Sequence, residues 1–104
     1  MILEFEILSV ERSEDGRCYI LSGRCCKGTC AIGSTFHTAC EIIIKDLSVP
    51  AILKKVAEID LVVQKIELHQ RDITWLDEGL TGSLWVTGEG AELIKPRMGI
   101  IGEC

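Results

Sequence analysis

The stretch GRCYILSGRCCKGTCAIGSTF, residues 16–36, constrains the fold more than any other part of the chain. Four cysteines are threaded between glycines at 16, 23, 28 and 33. A glycine adopts backbone conformations that a Cβ resists, so each marks a place where the chain turns or bends sharply. Residues 18–26, with Gly23 inside them, read as a β-rich run that Lys27 and Gly28 close.

The rest of the chain follows the same pattern. Leu3, Phe5 and Ile7 alternate with Glu4 and Glu6, the period of a half-buried strand. Glu14, Asp15 and Gly16 make a turn signal, because Asp-Gly readily reaches positive φ. Ile42, Ile43 and Ile44 form the centre of another strand. Residues 59–68 alternate with one slip of phase between Val63 and Ile66, and such a slip marks a bulge. Residues 84–87 make a strand stopped by Gly88 and Gly90, and residues 94–99 turn into Ile100 and Ile101. Ser48 and Pro50 carry a helix-start signal, so one short helix is expected around residues 49–57. These elements predict an all-β fold, a small closed antiparallel barrel whose closure removes its sheet edges. At 104 residues the chain has the length of one domain, residues 1–104.

Charge narrows the partners. Eleven Lys and Arg face sixteen Asp and Glu, for a net charge of −5. Nucleic-acid binders usually present a basic face, whereas an acidic surface steers towards a basic protein. The first ten residues lack the basic region of a secretory signal and include Glu4 and Glu6, and no apolar run nears the roughly 18 residues of a membrane span. A cytoplasmic protein with no membrane role is therefore expected.

Six cysteines in a reducing compartment suggest metal ligands, reactive thiols or packing rather than disulfides. Cys25, Cys26, Cys30 and Cys40 are the alternative metal set, with His37, His69 and Cys104 as further donors. No C-x-x-C pair occurs, and neighbours such as Cys25 and Cys26 point to opposite faces of a strand. The expectation is no metal, with the thiols filling the core as small hydrophobes. No catalytic cysteine signature and no phosphate-binding G-x-x-x-x-G-K-[ST] loop is present, so neither enzyme activity nor a nucleotide cofactor is expected.

Gly16-Arg17, Gly23-Arg24, Lys27-Gly28 and Gly33 are followed by LDEGLTG at 76–82, Gly88 and IKPRMG at 94–99. This ordered set resembles the second domain of elongation factor Tu and related translational GTPases. The resemblance implies that family's β-barrel as a stand-alone domain, without the nucleotide-hydrolysing part. It also implies a pocket for the acylated end of tRNA, with Gly16 and Arg17 at the first glycine turn and Glu67 against the terminal adenosine. Leu84 stands where the family carries an asparagine, and residues 37–65 are longer than the family's equivalent. Arg24 and Lys27 form a basic hairpin, and Trp75 with Asp77 and Glu78 makes a candidate protein interface. The function expected is a non-enzymatic acidic module that docks on a basic protein, such as an immunity protein neutralising a nucleic-acid-cleaving toxin. The alternative is an RNA-handling module that binds tRNA or an RNA 3′ end through Gly16, Arg17 and Glu67.

Overall fold

The computed structural model describes residues 2–103. In chain order the strands are β1 (Ile2–Arg12), β2 (Tyr19–Lys27), β3 (Cys30–Ala31), β4 (Thr35–Ile43), β5 (Ile52–Leu68), β6 (Arg71–Ile73), β7 (Trp75–Leu76), β8 (Thr81–Glu89) and β9 (Met98–Glu103). The only helical element among the described residues is a 3-10 turn, Ala91–Leu93. Hydrogen bonding runs β4–β9–β1–β2–β8–β5 and returns to β4, so six strands close a ring. All these pairings are antiparallel. The fold is the all-β, barrel-like one expected.

The alternation read from the sequence supplies the core. Leu3, Phe5 and Ile7 of β1 point inward and meet Leu21, Phe36, Leu61, Val63, Ile66, Leu84, Val86 and Ile100 from the other strands. The Phe5 and Phe36 rings sit 6.5 Å apart at a 59° tilt. Each such side chain stabilises the fold by roughly 1.5–3 kcal/mol relative to exposure.

Glycines inside the strands work by leaving room. A Cβ on Gly23 would overlap the Glu6 carbonyl oxygen, and one on Gly102 would overlap that of Thr35. Gly23 lies where the β1–β2 register shifts between Ile7 and Ser9, so the two backbones approach closely at a bend.

The helix expected around residues 49–57 is not formed. Residues 52–57 belong to β5, seventeen residues long, and Ile52 and Leu53 pair with Ile43 and Ile42 of β4. A nine-residue helical signal is below the roughly 12–15 residues that sustain an isolated helix, and cross-strand pairing of β-branched residues wins. Ser48 is not a cap: its amide donates to Asp46 Oδ1 at 3.1 Å, inside the turn of a β4–β5 hairpin. The phase slip does mark an irregularity, since Val63 pairs with Val86 but Lys65 with Trp85.

The cysteines divide. Cys25, Cys30 and Cys40 are buried as expected, but Cys18 is half-buried and Cys26 is exposed. The reason for Cys26 is register: Glu4 pairs with Lys27 and Phe5 with Cys25, so Cys26 is the unpaired residue of a bulge and is pushed outward. Among the described residues, no helix is long and apolar enough to cross a membrane.

Candidate functional site

One end of the ring gathers several of the residues singled out in the sequence. β2 runs through Arg24 to Lys27 and turns at Gly28, and residues 75–80 fold back against it. The Gly28 amide donates to Glu78 Oε1 at 2.9 Å, the Gly79 amide to the Cys25 carbonyl at 2.6 Å, and the Cys25 amide to the Leu80 carbonyl at 2.9 Å. The basic hairpin and the Asp77–Glu78 turn are thus one structure, joined by backbone groups that would otherwise lack partners.

Trp75 is displayed on this end. β3 and β7 pair Cys30 with Leu76 and Ala31 with Trp75. Period two then buries Leu76 and leaves Trp75 58% exposed, with Ile32 and Leu80 also exposed. An exposed aromatic ring, with exposed Ile32 and Leu80 and with Asp77, Glu78, Arg24 and Lys27 on the same end, has the composition of an interface anchor with a charged rim.

The tRNA-pocket candidates stand on different elements. Gly16 and Arg17 occupy the β1–β2 hairpin tip, where Asp15 Oδ1 accepts from the Arg17 amide at 3.0 Å and the Gly16 carbonyl accepts from Arg12 Nη2 at 2.9 Å. Arg12 also lies over the Tyr19 ring, 5.0 Å from its centroid. Glu67 aligns through Ser83 of β8 with Ser22 of β2, whereas Arg17 lies in the turn before β2 begins at Tyr19. Glu67 Oε2 lies 3.9 Å from Lys65 Nζ, which is 3.4 Å from Asp72 Oδ1 and 4.7 Å from the centroid of the Trp85 ring. On this outer face of β2, β8 and β5, where the Ser22 and Ser83 hydroxyls lie 2.8 Å apart, the sequence pointed to Glu67 but not to the groups around it. The signal available was the alternation of Lys65 and Glu67 about buried Ile66.

The thiols make local contacts. The buried Cys25 Sγ donates to the Gly28 carbonyl at 3.2 Å. Burial pushes the Cys25, Cys26 and Cys40 thiols up, and the Glu6 carboxylate beside Cys26 adds to the effect there. Among the described residues, no group of three His, Cys, Asp or Glu is placed to hold a metal ion; Cys104 lies outside them.

A closed ring of antiparallel strands with these glycine corners has the fold of a translation-factor β-barrel, like the second domain of elongation factor Tu. The fold is similar to part of translation elongation factor SelB from Methanococcus maripaludis in its apo form, with a TM-score of 0.68 at 12% sequence identity. The match covers 97% of this chain and 19% of that factor, so the chain spans about one fifth of the structure it resembles. No family model and no curated protein matches.

Proposed function

We propose that this barrel is a non-enzymatic binding module of the cytoplasm that docks on a basic protein through the end carrying Trp75. The observation that carries this reading is the Trp75 side chain, which the β3–β7 pair holds 58% exposed beside the Asp77–Glu78 turn. A net charge of −5 favours encounter with a cationic surface. A stoichiometric inhibitor, such as an immunity protein that covers the cationic cleft of a nucleic-acid-cleaving toxin, is the finer form of this reading. Its support is the charge balance and the single barrel.

A second reading, RNA handling, draws on the fold likeness to a translation factor and on Arg24 and Lys27 standing at the same end as Trp75. Aromatic rings flanked by cations stack unpaired bases. The pocket that the resemblance implies, Gly16 and Arg17 with Glu67, remains the other candidate RNA surface in this reading.

Affinity capture with the full chain, compared with Trp75→Ala and with Arg24→Glu/Lys27→Glu, separates the two. Docking on a basic protein predicts a stoichiometric protein of high pI that is lost with Trp75→Ala and retained with the charge reversal. RNA recovered by the native chain and lost on charge reversal, with no such protein, would replace the first reading by the second.

A further inference from the structure

The β4–β5 hairpin leans over the outer face of the sheet and encloses a cleft of about 260 Å³. Glu4 and Glu6 of β1 form one wall, and Ile42, Ala51 and Leu53 of the hairpin form the other. Gly99 of β9 contributes to the cleft, and Ile42 and Leu53 would be the nearest neighbours of a Cβ there, at 3.6 and 3.7 Å. We propose that this cleft receives a single lysine or arginine side chain offered by a protein partner.

Three features select that occupant. The volume is below the roughly 300–1,000 Å³ of small-molecule pockets, which suits one side chain rather than a cofactor. The walls are of two kinds, aliphatic on one side and carboxylate on the other. Lysine and arginine have the matching construction, an apolar stem with a charged head. Finally, Glu4 and Glu6 are half-buried, and among the described residues neither has an ion pair; the partner of Glu6 Oε2 is the Cys26 Sγ at 3.9 Å, which also lines the cleft. Lys27 and Arg24 are their cross-strand neighbours on β2, yet both stay exposed and beyond ion-pair distance. A cation seated in the cleft would meet carboxylates that solvent screens less than fully exposed ones.

A second concavity is a contrast. Glu58, Asp60, Glu89 and Glu92 surround Gly88 and Gly90, with Ile59 the lone aliphatic side chain. It carries more negative charge but no aliphatic wall for a stem, so it serves as an internal control for plain charge attraction.

The inference deepens the docking reading, on which its biological meaning rests, but its test needs no partner. Amide shifts of the full chain are followed by NMR at constant ionic strength during titration with n-butylammonium, n-butylguanidinium or uncharged n-butanol. The expected result is a saturating shift of the Gly99, Ile42 and Leu53 amides with either cation and none with butanol. Glu4→Gln/Glu6→Gln, two changes on the outer face, should weaken the response roughly fivefold. Gly99→Leu should abolish it by filling the cleft; if that variant does not fold, the paired glutamine variant carries the test. Equal shifts with butanol, equal shifts around Gly88 and Glu89, or no saturation at Gly99 would overturn the proposal. Loss of partner capture alongside saturation at Gly99 removes the docking reading and leaves the cleft; the reverse removes only the cleft.

Discussion

Glu78 accepts the amide of Gly28 at 2.9 Å across fifty residues of sequence, and this contact clasps residues 75–80 to the β2 turn. Replacing Glu78 with Ala removes the acceptor at an exposed site, where water competes, so the expected loss is about 1 kcal/mol. For a chain of this size that corresponds to roughly 4–8 °C in Tm, measurable by calorimetry. Faster hydrogen exchange at Gly28 than in the native chain should accompany it.

Gly23 tests the close approach of β1 and β2. Gly23→Ala drives a methyl into the Glu6 carbonyl and is expected to cost about 3 kcal/mol or more, in chemical denaturation. Gly99→Ala is the matched control, since its Cβ would meet Ile42 and Leu53 in ordinary contact. The control should stay within about 1 kcal/mol of the native chain.

Trp75 and Phe36 should separate binding from folding. Trp75→Ala, at a ring 58% exposed, is expected to change stability by no more than about 0.5 kcal/mol. Phe36→Ala, in a fully buried position against Phe5, should cost roughly 3–5 kcal/mol. Urea melts of the two variants, read with partner capture, check the division.

Cys26 is accessible but not activated, because burial and then the Glu6 charge raise its thiol above the ordinary value. Its alkylation by iodoacetamide, followed by peptide mass spectrometry, should remain slow at neutral pH and still be climbing above pH of about 8.5. Glu6→Gln should shift that rise to lower pH.

Asp15 carries the acid response of the β1–β2 tip. The Ser13 hydroxyl and then the Arg17 amide hold its carboxyl below the ordinary value. A depressed carboxylate contributes stability that is present above the unfolded value, about 3.9, and lost as pH falls through the folded one. The side-chain carbon shift of Asp15 should therefore titrate below that value, and Ser13→Ala should move its midpoint upward.

Where the information was local, it was legible in the sequence. The alternation of Leu3, Phe5 and Ile7 about glutamates determined which face of β1 is buried, and the slip after Val63 announced an irregular ladder. The order of glycine blocks carried the resemblance to a barrel family; Gly16, Gly33 and Gly79 supply positive φ in turns, and Gly23 and Gly102 leave room for a neighbouring backbone. The helix-start signal at Ser48 and Pro50 was equally local and misled, because the pairing partners of residues 52–57 lie on β4.

The candidate surfaces depended on register between distant strands. Nothing near Cys26 shows that β1 skips it, and nothing near Glu67 shows that it aligns with Ser22 across β8. Trp75 and Lys27, 48 positions apart in the chain, come to one end because β7 finds β3. Side-chain direction in a strand reverses with each residue, so the sequence by itself determined the alternating faces and the corners. Only the closed ring decided which exposed groups meet, since that follows from the long-range pairings that close it.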